Sequence, residues 1–412
     1  MQSMAIDICI RGAGVVGMSL ALLLARARIR VGLVRAPAKP SGHEDIRAFA
    51  LNAASQQLLT DLRAWPEQTC AVQRIQVYGD TQEAGQGLQA GQVSFDAGDL
   101  GSSGIQALAH IVDAHALEQR LQAALSFAPD ITLLDVPVPA ALSVICEGQG
   151  SASRAATGLV YERTPYGQTA IAAVLETQLP HQATAWQWML GNQPPSAAGA
   201  SRSGEVCALL PRCATAQGAG NSVALVWSVE DAHAQELLAL DDAQFAHAVQ
   251  AACANTLGTM RLTSHRAAWP LQLAQASRWI GLGLHGADGA DGADADGAPL
   301  SQAAWALAGD AAHAVHPLAG QGLNLGLADA QALARIVSGK EYFRSYGDMR
   351  LLRRYERERS GQAAALRLAT DGLQRLFALD HPAARSLRNI GMRGFDAALP
   401  LKNLVMRQAI GA

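Results

Sequence analysis

The chain has 412 residues, half of them apolar, with 16% charged residues and a formal net charge of −3. That length gives a prior of about two to three domains with ample apolar content for a sizeable core. Nothing in the overall balance points to nucleic acid, although residues 335–412 hold fifteen Lys/Arg against seven Asp/Glu, leaving the rest of the chain acidic.

Six cysteines (Cys9, Cys70, Cys146, Cys207, Cys213 and Cys253) are scattered with no C-x-x-C and no His partner at ligand spacing. Free thiols in a reducing compartment account for them, and no metal is expected. No secretory signal pattern is seen, and no apolar run reaches the ~18 residues of a membrane span, so a cytoplasmic protein is expected.

Residues 6–10 are a short β-branched run, followed by Arg11-Gly12-Ala13-Gly14-Val15-Val16-Gly17, an apolar helical pattern over 18–27 and a second strand over 29–34. Strand, G-x-G-x-x-G, helix, strand is the dinucleotide-binding unit: Gly12 permits the turn, Gly14 admits a pyrophosphate, and Gly17 lets helix and strand pack closely. The second strand of such a unit ordinarily ends in a carboxylate for the adenosine ribose. Here the residue is Arg35, which cannot accept a hydrogen bond. Either the adenosine is held by other groups, an Arg stacked on the adenine among them, or the dinucleotide is held more weakly.

Residues 45–59 read as an apolar helical run interrupted by the charge of Arg47. Residues 77–100, rich in Gly, Gln and Asp, read as exposed hairpin or loop, and residues 111–125 as an amphipathic helix. Period-two alternation over 159–174, 206–210 and 222–229 predicts antiparallel strands with one wet face, forming a sheet domain inserted between halves of the nucleotide domain. His181 is expected to be a satisfied structural side chain. Between strand-like runs at 279–284 and 303–308 lies a Gly/Ala/Asp low-complexity excursion, residues 285–299, whose aspartates do not have calcium-loop spacing.

Residues 307–327 are the centre of the chain's chemistry. A strand runs into Gly309-Asp310, Pro317, Gly320 and Gly322 punctuate a loop, and a helix follows. Its first turn offers N–H donors and partial positive charge to a pyrophosphate or an electron-rich ring edge, while Asp310 can accept from a sugar-like hydroxyl. Two long helices are predicted over 326–337 and 349–377. The second carries Arg350, Arg353, Arg354, Arg357 and Arg359 as a solvated basic face, or one that meets anionic lipid headgroups or an acidic partner.

Gly309-Asp310-Ala311-Ala312-His313 followed by Pro317, Gly320, Gly322, Leu323 and Asn324 resembles the second flavin motif of the FAD-dependent aromatic hydroxylases, in the form usual for their ubiquinone-biosynthesis branch. The likeness extends through Gln168, residues 180–183, Trp227-Ser228 and Tyr355-Glu356-x-x-Arg359 to the C-terminal Leu399-Pro400-Leu401-Lys402. It implies an α/β fold with a Rossmann-like FAD-binding domain (residues 1–75, 105–158 and 278–340), an inserted antiparallel-sheet substrate domain (76–104 and 159–277) and a C-terminal helical region (341–412).

By the same resemblance, Gly12, Gly14, Gly17, Gly309 and Asp310 bind FAD, with Asp310 on its ribityl and pyrophosphate part, and Arg47 lies near the flavin. The loop carrying Pro317, Gly320, Gly322, Leu323 and Asn324 lies along the isoalloxazine ring, with the N–H groups of Leu323 and Asn324 at its pyrimidine edge. No side chain is assigned as catalytic. Residues 144–154 align with the family's G-A-D-G-x-x-S-x-x-R through Glu147, Gly148, Gly150, Ser153 and Arg154. Gln149 stands where relatives carry the Asp tied to pyrophosphate and the nicotinamide donor, which leaves cycling with NAD(P)H open.

The implied reaction is hydroxylation of a polyprenylated phenol of ubiquinone synthesis by O₂ through a C4a-hydroperoxyflavin, with contact to a membrane surface at the inner face and to other proteins of the pathway. Arg35 and Gln149 keep two alternatives open: a flavin-fold scaffold in a ubiquinone-biosynthesis complex, and an FAD-dependent isoprenoid reductase.

Overall fold

Short aliphatic runs build a six-stranded sheet in the order Ile280–Leu282, Ala304–Leu307, Leu142–Ile145, Ile8–Arg11, Val31–Val34, Ile131–Leu134. The computed structural model describes residues 6–35, 45–79, 91–100, 106–190, 204–213, 220–283, 303–314, 321–378 and Asp396. All neighbours in this sheet are parallel except the Ile280–Leu282 edge. The inner strands are buried along nearly their whole length, which is why they read as continuous apolar runs rather than alternations. Helix Val15–Arg26 follows the first strand, is buried on most of its surface, and packs on helices Ala114–Leu125 and Gln321–Ser338. Helix Met349–Ala378 packs in turn on Gln321–Ser338.

The second layer is a nine-stranded sheet. Its order is His313–Ala314, Ala267–Ala276, Tyr161–Thr177, Ser222–Glu230, Glu205–Pro211, Thr184–Leu190, Arg74–Tyr78, Gln92–Asp96, with Met260–Leu262 pairing Tyr161–Thr177 off this path. Pairings are antiparallel except between Thr184–Leu190 and Arg74–Tyr78. Alternate residues face opposite ways. Ile171, Leu175, Trp188, Leu209, Leu225 and Trp227 pack under helices Asp231–Ala239 and Asp242–Ala252. The second of these starts with a capping box between Asp241 and Gln244. The other face was expected to be wet. It is turned inward instead: Ala172, Ala208, Val226 and Ser228 line an internal cleft.

Two predicted helices are corrected. Residues 45–59 divide into strand Ala48–Leu51, one of a three-stranded sheet with Ala109–Asp113 and Cys70–Val72, and helix Ala53–Asp61, whose N-terminus Asn52 caps by accepting from Ser55 N–H at 2.9 Å. The predicted 111–125 helix begins at Ala114, because Ile111 and Val112 belong to strand Ala109–Asp113. The predicted 77–100 hairpin is seen in its flanks, Arg74–Tyr78 and Gln92–Asp96, which pair. The excursion at 285–299 lies outside the described residues. Among the described residues, no helix is long and apolar enough to cross a membrane.

The helical layer is what makes one face of the nine-stranded sheet a core. Phe245, fully buried between helix Asp242–Ala252 and that sheet, is expected to cost about 3–5 kcal/mol when truncated to Ala. Denaturant unfolding of Phe245→Ala checks this, and a loss under ~1 kcal/mol would mean the helices are not needed to hold the sheet.

Candidate functional site

The chain leaves three adjacent parallel strands side by side, at Gly12 after Ile8–Arg11, at Cys146 after Leu142–Ile145 and at Ala308 after Ala304–Leu307. The carboxyl ends of parallel strands are where open α/β sheets hold ligands. The glycines set how closely these exits approach. Gly12 has φ +106°, and a Cβ there would stand 2.7 Å from the Cys146 carbonyl; a Cβ at Gly17 would stand 1.9 Å from the Gly12 carbonyl oxygen. A Cβ at Gly14 would meet nothing within 4 Å, because it faces the cleft.

One cavity of about 1580 Å³ runs from these turns to the inward face of the nine-stranded sheet. That exceeds the ~300–1,000 Å³ of a pocket for one small ligand, so it has room for an extended dinucleotide and a second molecule. Gly12, Gly14, Arg47, Gly309, Asp310, Gly322 and Leu323 all line it. Gly17 lies behind the cleft, packed on the first turn. Pro317 and Gly320 lie outside the described residues.

Asp310 opens to the cleft yet is surrounded by protein. That burial pushes its carboxyl pKa up, against the opposing pull of His313, the Gln149 amide and Arg47. Its backbone is fixed from the sheet side, where the Tyr161 hydroxyl donates to the Asp310 carbonyl at 2.8 Å. Arg154, 4% exposed, stacks on the Tyr161 ring at 3.5 Å and donates to the carbonyls of Gly148, Gln149 and Ala311. The loop before it is tied by Glu147, whose carboxylate accepts from the Ser151 hydroxyl, the Ser153 N–H and the Ser153 hydroxyl at 2.6–3.0 Å. Of the motif over 144–154, Glu147, Ser153 and Arg154 therefore shape the loop, and Gln149 faces the cleft.

Beneath the Gly309 turn is a cluster that sequence reasoning missed. Asp329, fully buried on helix Gln321–Ser338, accepts from the Gly309 N–H at 3.0 Å, pairs with His313 Nε2 at 2.7 Å and with Arg359 Nε at 2.7 Å. Burial alone would raise its pKa, but His313 and Arg359 outweigh that and hold it below the ordinary Asp value. The ring of Trp279 stacks on His313 at 4.9 Å, and the Tyr355 hydroxyl donates to the Leu307 carbonyl at 2.8 Å. Arg359 thus leaves the basic surface predicted for its helix and serves the core, while Arg353, Arg354 and Arg357 stay exposed.

Asn324, expected at the ring edge, is buried on helix Gln321–Ser338 and is not among the residues lining the cleft. Its side chain donates to the Ala50 carbonyl at 2.9 Å and accepts from the Asn52 N–H and the Ser55 hydroxyl, locking helix Gln321–Ser338 to the strand that follows Arg47. Arg47 lines the cleft with its guanidinium paired to Asp45 at 2.6 Å, which raises its pKa. Arg35 pairs at 3.2 Å with Asp135, so the carboxylate at this sheet edge stands at the end of the neighbouring strand. His181 is structural: Ala183 N–H donates to Nδ1, leaving Nε2 to donate to the Arg212 carbonyl at 3.0 Å.

Residues 299–369 match the family described as FAD binding domain. The chain is 26% identical to 3-demethoxyubiquinol 3-hydroxylase of Escherichia coli over 98% of both chains. It is 27% identical to the human mitochondrial ubiquinone biosynthesis monooxygenase COQ6 over 97% of this chain and 91% of the relative. Its fold matches the crystal structure of p-nitrophenol 4-monooxygenase PnpA from Pseudomonas putida with a TM-score of 0.69, at 16% identity over 99% of this chain and 98% of the other. The residues present fit FAD: the cleft beside Gly14 and Gly322 is clear of anything a Cβ would meet, and Asp310 presents an acceptor to it.

Asp329→Asn keeps the side chain's shape but leaves the Arg359 guanidinium buried without its counter-charge, a loss of about 3–5 kcal/mol. Because the folded pKa of Asp329 is depressed, its contribution is complete above the ordinary Asp value near ~4 and drains as pH falls through the folded value. The gap in Tm between the wild type and Asp329→Asn is expected to be wide at about pH 7 and to narrow below about pH 4; a gap unchanged with pH would remove the charge from the explanation.

Proposed function

We propose that this chain, an FAD-dependent monooxygenase similar along its length to the ubiquinone-biosynthesis hydroxylases, hydroxylates the aromatic ring of a polyprenylated phenol. The observation that carries the reading is the single cleft, which joins the glycine turns of a flavin site to the apolar face of the nine-stranded sheet. FAD, when bound and reduced, supplies the activation of O₂, with NAD(P)H as the electron donor. The chain's own part is to bind, orient and dry the reactants.

Gly12, Gly14, Gly309 and Gly322 let backbone approach the cofactor, and Asp310 accepts from one of its hydroxyls. Ala172, Ala208 and Val226, which stand opposite one another across three strands, form a flat apolar floor where a ring is stripped of water. Gln187, across from Ala208, and Ser228 are the polar groups on that floor for ring oxygens. A prenyl tail brings such a substrate from a membrane. The exposed Arg353, Arg354 and Arg357, with exposed Tyr342 and Phe343 nearby in sequence, suit peripheral contact of a cytoplasmic protein with anionic headgroups.

The purified protein is expected to be yellow, with flavin absorbance near about 450 nm, and to consume O₂ with NAD(P)H faster when a prenylated phenol is added, placing an oxygen atom from O₂ on the ring. Gly14→Val, whose side chain would enter the open cleft, is expected to remove the flavin while leaving circular dichroism unchanged. Colourless wild-type protein that ignores added FAD would favour the scaffold, and substrate turnover without ring oxygen would favour the reductase. For the membrane contact, flotation with anionic vesicles is expected to retain the protein at low salt and release it at high salt; indifference to both lipid charge and salt would sink that part.

A further inference from the structure

The strand order of the parallel sheet divides the cleft into two arms. The exits at Cys146 and Ala308 lie on one side of the Gly12 turn, and the ends of Val31–Val34 and Ile131–Leu134 lie on the other. Asp310 follows the Ala308 exit and so belongs to the first arm. The second arm is lined by Leu33 and Arg35, by Ile131 and Leu133, and by Glu118 and Gln122 of helix Ala114–Leu125. A dinucleotide centred on the Gly12 turn lays one half in each arm. With Asp310 serving the flavin half, the adenosine half falls to the second.

Ribose hydroxyls call for an acceptor in that arm, and Arg35 can only donate. Among the described residues, three carboxylates line the cleft: Glu118, Glu147 and Asp310. Glu147 is taken up by Ser151 and Ser153, and Asp310 stands in the other arm. Asp135, the partner of Arg35, has 87% of its side chain exposed and does not line the cleft. That leaves Glu118. Its helix is pinned to the cleft wall, because the Ala114 N–H donates to the Arg47 carbonyl at 2.9 Å, and Glu118 and Gln122 follow Ala114 at four-residue steps along one helix face. The Glu118 carboxylate is half-buried and accepts no hydrogen bond among the described residues. Nor is it needed as the counter-charge of Arg47, which Asp45 already holds at 2.6 Å.

We propose that Glu118 is the acceptor for a ribose hydroxyl of the adenosine half of FAD, so that helix Ala114–Leu125 supplies the acid that other dinucleotide units carry at the end of the second strand. This rests on the reading of the cleft as the FAD site. A carboxylate in this place can act in two ways that differ in sign. As a bare charge it repels the pyrophosphate, and its removal tightens the binding of any flavin phosphate. As an acceptor it forms a charge-assisted hydrogen bond, and its removal weakens FAD while leaving FMN, which has no adenosine, unchanged.

The test is titration of apoprotein with FAD and, separately, with FMN, followed by flavin fluorescence, for the wild type, Glu118→Ala and Glu118→Gln. Glu118→Ala is expected to bind FAD about ten- to a hundredfold more weakly, Glu118→Gln, whose amide oxygen still accepts, to lose less, and FMN affinity to be the same in all three. Unchanged or tighter FAD binding in Glu118→Ala, or equal weakening of FAD and FMN, overturns the role of Glu118 and leaves the FAD site standing. Wild-type apoprotein that takes up no FAD overturns the site reading and this proposal with it. Where FMN binds too weakly to follow, ADP competing against FAD takes its place: a loss of ADP affinity in Glu118→Ala by the same factor as for FAD supports the proposal, and unchanged ADP affinity overturns it. If circular dichroism shows Glu118→Ala unfolded, Glu118→Gln carries the test, with weaker FAD and unchanged FMN binding in support and wild-type affinity for both against.

Discussion

Backbone touching backbone is the constraint on which the rest of the molecule depends. At the carboxyl edge of the parallel sheet the Gly12 turn lies against the Cys146 carbonyl, and the first turn of helix Val15–Arg26 lies against Gly12 through Gly17. No side chain fits either contact, so three chain segments more than a hundred residues apart in sequence can open into one crevice. Gly309, with φ +63°, extends the same logic to the third exit, where Val16 packs against it and against Gly326. A crevice built of backbone N–H groups and glycines suits a long anionic ligand because it offers donors without filling the space.

The second sheet closes that crevice into one large cleft. Its strands carry large side chains on one face, Trp188, Trp227, Leu209 and Leu225 among them, and small ones on the other, Ala172, Ala208 and Ser228 among them. Helices Asp231–Ala239 and Asp242–Ala252 cover the large face, so the small face can remain open over the cleft without exposing the sheet's core to water. The long strand Tyr161–Thr177 joins the two regions. Beyond its bulge between Pro165 and Gln168, its first residues reach the Gly309 turn, where the Tyr161 hydroxyl donates to the Asp310 carbonyl.

What could be read in advance was local. The G-x-G-x-x-G turn and the Gly-Asp turn announce themselves because each pattern is set by residues a few positions apart, and both turns line the one cleft. Residues 48–51 were misread because A-F-A-L is short and apolar, and such a run has no period to tell strand from helix. The helix start at Ala114 was misplaced for a different reason. Asp113 stands at its N-cap without capping, since its carboxylate is taken by Arg212 at 2.7 and 3.1 Å, and no signal within the segment reports a partner 99 residues away. The same holds for Asp329, Arg359 and Asn324. Nothing local in the sequence marks their side-chain partners, and only the assembled fold shows the first two buried against the Gly309 turn and the third tied to Ala50, Asn52 and Ser55.

The two departures from the family pattern become intelligible in the same terms. At the first, where strand Val31–Val34 ends, Arg35 stands where the resemblance expects an acid, but Asp135, just past the adjacent strand Ile131–Leu134, lies 3.2 Å away, so a carboxylate is still present at that edge and its charge is balanced by Arg35. At the second, Gln149 removes a carboxylate from the neighbourhood of Asp310, where Asp329 already adds negative charge and burial already works against ionisation. An additional acid there would compete with the one that faces the cleft. Substitution by an amide relieves the competition while keeping a hydrogen-bonding group in place. What the loss of an acid does at such a turn depends on whether the surrounding groups are left with unanswered charge, and Asp310 keeps His313 and Arg47 as opposing charges.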